Sequence, residues 1–192
     1  MFCSTIIPTV GRASLARAVA SVLDQPLPPE SIQGIVVNDG GRPLPAEAWH
    51  ADPRVTVIDT QRRERGAARN VGAAVARGRY LHFLDDDDYL LPGSIAAFQQ
   101  LAAQRPDAAV LYGVTLLADR QGQPVIHLRH NLPEICFLQT MAGEWIPLQA
   151  SLIEATAFFR TGGFNPLIPG AEDIDLMRRM TLRELAGGAA PE

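Results

Sequence analysis

Residues 80–93 read YLHFLDDDDYLLPG, an apolar run that ends in four consecutive aspartates. The apolar part predicts a buried strand, and the aspartates follow directly where that strand ends. If the backbone stays extended, Asp85 and Asp87 point to one side and Asp86 to the other. Adjacent carboxylates repel each other, so we expect cations or hydrogen-bond donors beside them. The alternative is a solvated turn in which Asp88 caps the following helix.

Strand-like and helix-like patterns alternate around this segment. Apolar and β-branched runs predict strands, whereas apolar residues spaced as Leu15, Val19 and Leu23 predict a helix. Strands that are apolar along their whole length are typical of a parallel sheet covered by helices on both faces. The predicted strands are 2–7, 34–40, 55–59, 80–84 and 108–117, and the predicted helices are 12–23, 65–78 and 94–104.

The second half of the chain has a less regular pattern. It predicts a strand over 121–129, a short helix within 132–143, a mixed run over 151–160 and an amphipathic helix over 172–185. Neither an internal repeat nor a low-complexity linker divides the sequence. We therefore expect one α/β domain over residues 1–192.

The charge composition excludes several classes of protein. The formal net charge of -4 argues against a surface that coats nucleic acid. All 17 lysine or arginine positions are arginine, so the sequence contains no lysine. Mechanisms that need a Schiff-base lysine or the lysine of a P-loop are therefore excluded. Cationic contacts must come from arginine, a metal or backbone N–H groups.

The cysteines and the N-terminus indicate the compartment. Cys3 and Cys136 lie far apart without metal-ligand spacing, so we expect free buried thiols in a reducing compartment. Pro8 and Gly11 interrupt the apolar core that a signal peptide would need. The apolar stretch 108–118 is too short to span a bilayer. We expect a cytoplasmic protein without a transmembrane segment, and attachment to a membrane surface stays open.

Candidate site residues follow the ends of the predicted strands, because parallel α/β sheets bind ligands beyond the carboxyl ends of their strands. Pro8 and Thr9 follow the first strand, Asp39 the second and residues 85–88 the fourth. Oxygen ligands of this kind suit a hard divalent ion such as Mg²⁺ or Mn²⁺. Asp39 could accept an N–H from a nucleobase, or it could form an Asx turn.

Two further pairs of charged residues lie at predicted helix starts. Arg65 and Arg69 could neutralise a diphosphate or the aspartates, and the alternative is a solvated helix end. Glu172 and Asp173 open the last helix, where the helix dipole alone favours acidic residues. The functional alternative is a general base that takes a proton from a hydroxyl. Trp145 could stack on an acceptor sugar or fill the core.

Four segments together resemble the family 2 glycosyltransferases of GT-A fold. Their order and spacing match the family, and they cover most of residues 3–180. The segments are STIIPTVGR (4–12), VVNDGG (36–41), RGAARNVGAAVARGRYLHFLDDDDYLLPG (65–93) and TGGFNPLIPGAEDIDLMRR (161–179).

The resemblance implies a Rossmann-like, mostly parallel sheet flanked by helices, with a short, irregular acceptor-side second half. Residues 1–105 would bind the nucleotide sugar and residues 106–192 would face the acceptor. Asp87 would hold Mn²⁺ or Mg²⁺, and Asp173 would be the catalytic base. The other implied positions are Pro8, Thr9, Asp39, Arg65, Arg69, Asp85 and Asp86 on the donor nucleotide, and Glu172 beside the base, with Trp145 on the acceptor side.

The implied reaction is an inverting, metal-dependent transfer of a sugar from a nucleotide diphosphate sugar to a hydroxyl. Asp39 favours a uridine-type donor, and the acceptor would be a carbohydrate, a lipid-linked molecule or another hydroxyl compound. The sequence lacks the Gln-x-x-Arg-Trp signature of processive synthases, which favours transfer of a single sugar.

Two features set this chain apart from the family pattern. The chain ends about twenty residues after Asp173, and no histidine follows His130, although relatives use a later histidine at the metal. A truncated chain, a minimal enzyme and a non-catalytic nucleotide-sugar-binding or scaffold protein of the same fold are therefore alternatives. The absence of lysine disfavours a sugar-phosphate nucleotidyltransferase and an aspartate-dependent phosphatase.

Overall fold

A computed structural model of the chain describes residues 1–61, 64–119, 121–129, 137–144, 146–168 and 170–187. Its strands are β1 (Cys3–Thr9), β2 (Ile32–Asn38), β3 (Val55–Asp59), β4 (Tyr80–Phe83), β5 (Val110–Tyr112), β6 (Thr115–Ala118), β7 (Pro124–Leu128) and β8 (Ser151–Glu154). Its α-helices are α1 (Leu15–Leu23), α2 (Arg65–Ala74), α3 (Ser94–Gln104), α4 (Phe137–Met141), α5 (Ala155–Thr161) and α6 (Glu172–Gly187). Short 3₁₀ turns lie at Pro29–Ser31, Ala48–Ala51 and Leu148–Ala150.

The central sheet has six strands in the order β3-β2-β1-β4-β8-β5. The strands β1 to β4 are parallel to one another, which confirms the predicted mostly parallel sheet. Only β8 runs against both of its neighbours, β4 and β5. Strands from the second half of the chain therefore complete the sheet that the first half begins.

Hydrophobic cores lie on both faces of the sheet because neighbouring residues of a strand point to opposite faces. On one face, Ile6, Val37 and Phe83 pack with residues of α2, α5 and α6. On the other face, Ile7 and Val36 pack with residues of α1 and α3. The result is the three-layer arrangement expected for buried parallel strands.

Helix α2 lies unusually close to the sheet. Gly66, Ala68, Gly72 and Ala73 form its buried side. A Cβ atom at Gly72 would overlap the side chain of Ile6, so only glycine permits this approach. The close contact places the start of α2 beside the carboxyl ends of β1 and β4.

Two predicted strands differ from the structure. The first was expected to end at Ile7, but β1 continues through Pro8 to Thr9. The pairing of β1 with β4 ends at Ile6, so Pro8 lies where the strand has a partner on one side only and its missing N–H is tolerated.

The strand predicted over 108–117 is instead divided at Gly113 and Val114. Residues before the break belong to β5 in the central sheet, and residues after it form β6, which pairs with β7 in a separate hairpin. The Gly113 N–H donates to the Ala150 carbonyl at 2.8 Å, which fixes the point where the chain leaves the sheet.

The mixed run over 151–160 contains β8 and α5, and the last predicted helix is α6. The expected helix within 132–143 corresponds to α4, although residues 131–136 lie outside the described ranges. Among the residues that the structure describes, none of the helices combines the length and apolarity needed to cross a bilayer.

Candidate active site at the carboxyl edge of the sheet

The carboxyl ends of β1, β2 and β4 lie side by side. Thr9 is level with Asn38, and the Asp39 N–H donates to the Thr9 carbonyl at 2.7 Å. Leu84 continues β4 by donating its N–H to Ile6 at 3.0 Å. One edge of the sheet therefore carries Thr9 at the end of β1, Asp39 just after β2 and Asp85 shortly after β4, as predicted from their positions in the sequence.

The four aspartates form a turn, not an extension of β4. The Asp88 N–H donates to the Asp85 carbonyl at 3.0 Å, which closes the turn. The expected alternation of side chains is therefore wrong: Asp86 and Asp87 meet at one guanidinium, and Asp85 points elsewhere. The backbone turns because β4 has no further pairing with β1 beyond Phe83.

Asp86 is the most buried aspartate of the turn. Its side chain is 4% exposed, accepts the Thr9 hydroxyl at 2.5 Å and pairs with Arg12 at 2.8 Å. Thr9 is held in turn by the N–H of Gly11, which donates to Oγ1 at 2.9 Å. A hydroxyl and a guanidinium therefore compensate this buried carboxylate.

Asp87 and Asp88 have different surroundings. The Asp87 carboxylate is 59% exposed and lies 3.0 Å from Arg12. Burial, followed by repulsion from Asp85 and Asp87, raises the pKa of Asp88 to about 6, although the Arg17 guanidinium acts in the opposite direction. Asp88 does not cap a helix, because α3 begins at Ser94 after Gly93. Asp87 is thus the aspartate of the turn whose carboxylate is most open to solvent.

Arg69 connects the aspartate turn to the start of α6. Its Nη2 lies 2.6 Å from Asp85 Oδ1, and its Nη1 lies 2.8 Å from Glu172 Oε1. The side chains of Arg69 and Glu172 are each 4% exposed. Within the described ranges, Glu172 Oε2 is buried without a hydrogen-bond partner. The predicted cluster of Arg69 and the aspartates is therefore present, and Glu172 belongs to it.

Arg65 and Asp173 lie at the rim of the same cluster. Arg65 Nε is 3.3 Å from Glu172 Oε1, but the Arg65 side chain is 61% exposed. Asp173 lines a small pocket of about 60 Å³ together with Arg65, Arg69, Asp85 and Glu172. The pocket thus brings the predicted base, both predicted arginines and the first aspartate of the turn together.

Asp39 directly follows β2 and is buried. It is 8% exposed, and Oδ1 accepts the Thr60 hydroxyl at 2.9 Å. The Asx turn is formed by its neighbour Asn38, whose Oδ1 accepts the Gly40 N–H at 3.2 Å. Pro8, expected in a binding loop, is instead buried in β1.

The oxygen donors of the turn suit Mg²⁺ or Mn²⁺ in type. Among the described residues, however, no three His, Cys, Asp or Glu side chains are grouped as a metal site. Magnesium in enzymes is commonly held by one or two carboxylates together with substrate phosphates. Asp87 fits that arrangement best of the four aspartates, since its carboxylate is 59% exposed, although it also pairs with Arg12.

The structure adds residues that the sequence analysis did not identify. Arg12 pairs with both Asp86 and Asp87, and Thr60 holds Asp39. The signal for Arg12 was its place three residues after β1, at the same edge as the aspartates. The predicted acceptor residue Trp145 lies outside the described residues.

Comparisons with known proteins agree with this geometry. The model of the family described as glycosyl transferase family 2 matches residues 4–165. An uncharacterized glycosyltransferase of Haemophilus influenzae is 26% identical over 189 residues, which cover 92% of this chain and 61% of that protein. Chondroitin synthase of Escherichia coli is 26% identical over 171 residues, which cover 87% of this chain and 24% of the synthase.

Solved structures show the same fold. The crystal structure of S. aureus TarS 1–349 superimposes with a TM-score of 0.70 at 17% identity, covering 95% of this chain and 56% of TarS 1–349. The complex of TarS 1–349 with UDP-GlcNAc also gives a TM-score of 0.70, at 18% identity.

The chain spans 61% of the length of its Haemophilus relative and about a quarter of chondroitin synthase. The family match nevertheless includes β1 from Ser4 onwards, Asp39 and the whole aspartate turn. The fold shared with TarS, which contains the mostly parallel sheet, agrees with that match. This chain therefore belongs to glycosyl transferase family 2.

Proposed function

We propose that this chain is an inverting, metal-dependent glycosyltransferase that transfers one sugar from a nucleotide diphosphate sugar to an acceptor hydroxyl. One observation carries the proposal: Arg69 binds Asp85 and Glu172 together, so the start of α6 is tied to the aspartate turn. Asp173, next to Glu172, is thereby held in the pocket beside the turn. A base and a nucleotide-sugar site in one place are what glycosyl transfer requires.

The donor is proposed to be a uridine diphosphate sugar bound along the carboxyl edge of the sheet. Asp39 would accept an N–H of the base, because it lies at the carboxyl end of β2, beside Thr9 at the same edge of the sheet as the aspartate turn. Asp86 would contact the ribose, next to Thr9. Binding of UDP and of UDP-GlcNAc by the structural neighbour TarS supports this class of donor.

Asp87 is the residue that would hold the divalent ion, together with oxygens of the donor diphosphate. A bound ion would offset the charge that develops on the leaving diphosphate. Arg12 already lies 3.0 Å from Asp87 and 2.8 Å from Asp86, so it also supplies positive charge where the diphosphate would lie. The carboxylates alone would repel the diphosphate.

In the proposed reaction, Asp173 takes the proton of the acceptor hydroxyl. The hydroxyl oxygen then forms a bond to the anomeric carbon while the bond from that carbon to the diphosphate oxygen breaks. The nucleoside diphosphate leaves with the bonding electrons. Attack from the face opposite the leaving group inverts the configuration. Arg69 and Glu172 orient α6 and do not touch the reacting atoms.

The test is a comparison of two aspartates in the first turn of α6. Purified protein is given UDP-sugars, Mn²⁺ and a panel of glycoside acceptors, and products are followed by NMR. Asp173→Asn should lower the rate by about 10²-fold or more, the range of general-base catalysis. Asp175→Asn should retain activity, because Asp175 pairs with Arg179 at 2.7 Å on the same helix.

Four outcomes would count against the proposal. Equal rates for the two variants would exclude Asp173 as the base. A product that keeps the donor's anomeric configuration would exclude inversion, and a ladder of products would exclude transfer of one sugar. UDP binding without turnover on any acceptor would favour a non-catalytic nucleotide-sugar-binding protein.

A further inference from the structure

A second, much larger cleft lies beside the aspartate turn. It has a volume of about 690 Å³ and runs between α3 and the β6–β7 hairpin. Its volume lies in the range of small-molecule sites in proteins. The donor-site residues Thr9, Asp39 and Arg69 do not line it, whereas Asp87 and Asp88 stand at one end. The cleft is thus next to the donor site and shares Asp87 with it.

The walls of the cleft are mostly apolar. Ala97, Phe98 and Leu101 of α3 face Val114 and Leu116 on the opposite side. Val114 is 50% exposed, so the cleft leaves apolar surface in contact with water. Burial of that surface by an apolar ligand would be favourable.

The charged residues around the cleft favour a ligand without negative charge. Asp87, Asp88 and Asp119 line it, whereas Arg17 is the one cation among the described lining residues. The Arg17 guanidinium is already placed 4.2 Å from the centre of the Tyr89 ring. An anionic ligand would be repelled by the carboxylates at the rim.

One buried polar group in the cleft points to a ligand. Thr115 is 9% exposed and lines the cleft, yet Oγ1 has no hydrogen-bond partner within the part of the chain that the structure describes. A buried hydroxyl without a partner costs free energy, and proteins rarely keep one. A polar atom of a bound molecule would satisfy it.

The cleft and the pocket of the proposed base share one lining residue. Gln149 lines both the cleft and the small pocket that contains Asp173. The backbone of Gln149 is fixed, because the buried ring of His82 donates from Nε2 to the Gln149 carbonyl at 2.9 Å. A molecule in the cleft could therefore extend past Gln149 towards Asp173.

We propose that this cleft binds the apolar part of the acceptor, so that the acceptor is a neutral amphiphile whose hydroxyl lies next to an alkyl or aryl group. The inference rests on the proposed transferase function and adds the class of acceptor to it. The apolar part lies between α3 and the hairpin, a polar atom of the ligand bonds to Thr115, and the reacting hydroxyl reaches Asp173.

The test uses n-octyl β-D-glucoside below its micelle concentration, titrated into nucleotide-free protein by calorimetry. Methyl β-D-glucoside, which lacks the apolar chain, should bind at least about tenfold more weakly, because several buried methylene groups are lost. Octyl sulfate, which has the same chain and a negative charge, should also bind more weakly. If octyl glucoside bound no more tightly than methyl glucoside, or no more tightly than octyl sulfate, the proposal would be overturned.

Two variants locate the binding site. Ala97→Phe fills the cleft and should weaken octyl glucoside binding at least about tenfold, as expected when a site is sterically occupied. Ala103→Phe is the matched control, since Ala103 is an exposed residue of α3 that does not line the cleft, and it should leave the affinity unchanged. Thr115→Val should weaken binding about threefold to tenfold through loss of one hydrogen bond.

Thermal unfolding of each variant shows whether it is folded. Unchanged affinity in folded Ala97→Phe protein would overturn the proposed cleft. Titration of UDP into the same wild-type protein separates this inference from the proposed function. UDP binding and sugar transfer without octyl glucoside binding would overturn only the cleft, whereas octyl glucoside binding without sugar transfer to it would overturn the acceptor role.

Discussion

The guanidinium of Arg69 lies 2.8 Å from the carboxylate of Glu172, which joins α2 to the start of α6 across 103 residues of sequence. The same guanidinium binds Asp85 at 2.6 Å. Both partners of the Arg69–Glu172 pair are buried, so each depends on the other for compensation of its charge. This pair is therefore the link between the donor edge of the sheet and the proposed base.

Arg69→Met should lower the free energy of unfolding by about 3–5 kcal/mol, because Glu172 would keep a buried charge without its main partner. Arg65→Met is the matched control. It removes a second guanidinium from Glu172 but should cost at most about 1 kcal/mol, since the exposed side chain of Arg65 is screened by solvent.

Urea unfolding measures both variants. The double variant Arg69→Met/Glu172→Gln should be more stable than Arg69→Met alone, because the uncompensated carboxylate is gone. Equal stability of the two single variants, or no recovery in the double variant, would contradict a buried pair that holds α6.

Thr9→Val should lower the free energy of unfolding by about 1–3 kcal/mol, since the buried carboxylate of Asp86 would lose its hydroxyl donor. UDP affinity should fall as well, because Asp86 is the proposed ribose contact. Thr56→Val on β3, a half-buried position outside the site, should leave UDP affinity unchanged. Urea unfolding and UDP titration are measured for both variants. If Thr9→Val binds UDP as tightly as the wild-type protein does, Asp86 and Thr9 do not belong to the donor site.

The burial of His82 predicts that the protein loses stability in mild acid. It accepts the Thr5 hydroxyl at Nδ1 and donates from Nε2 to Gln149. Burial lowers the pKa of His82 from 6.5 to about 4, although the hydrogen bond to Gln149 acts in the opposite direction. The unfolded chain thus binds the proton more readily, so stability is full above pH 6.5 and is lost as the pH falls towards 4.

This loss should be on the order of 3 kcal/mol, the size that a shift of this extent implies. His82→Gln can keep both hydrogen bonds and should remove the loss, as measured by urea unfolding at several pH values. Asp88→Asn should change the dependence of stability on pH in the direction opposite to the change that His82→Gln causes. The raised pKa of Asp88, about 6, means that its contribution is lost as the pH rises from 3.8 to 6. Parallel profiles for wild type and His82→Gln would contradict the buried neutral histidine.

Most of the first half of the fold could be predicted from the sequence. The runs that became β2, β3 and β4 are apolar and end in turn residues, and the segments between them have helical spacing. Local pattern and tertiary structure agree there because β2 and β4 are buried along their whole length, whereas β3 is a partly exposed strand at the edge of the sheet.

The second half could not be predicted at the same level. The direction of β8 depends on its pairing with β4, where Leu81 is opposite Ile153, and a four-residue strand with two apolar residues carries no information on direction. Likewise, the apolar run 108–117 gave no sign of a change of sheet apart from Gly113. Tertiary contacts, not local propensity, decide both features.

The candidate site, like the fold, could be predicted from the sequence only in part. The aspartates at strand ends were predictable, because parallel strands place their carboxyl ends at one edge. The partner of each aspartate was not, since Arg12 and Asp86 are 74 residues apart and their pairing follows from the turn at 85–88. The burial of Glu172 could not be predicted either, because the helix dipole alone accounts for an acidic residue in a first helical turn.

Calorimetric titration of UDP with and without Mn²⁺ tests the central proposal most directly. Wild-type protein should bind UDP much more tightly with Mn²⁺, and Asp87→Asn should abolish this gain, while Asp107→Asn, an exposed site in the turn after α3, should retain it. GDP should bind more weakly than UDP. Binding of UDP that is independent of Mn²⁺, or equal in wild type and Asp87→Asn, would contradict a metal-dependent donor site at the aspartate turn.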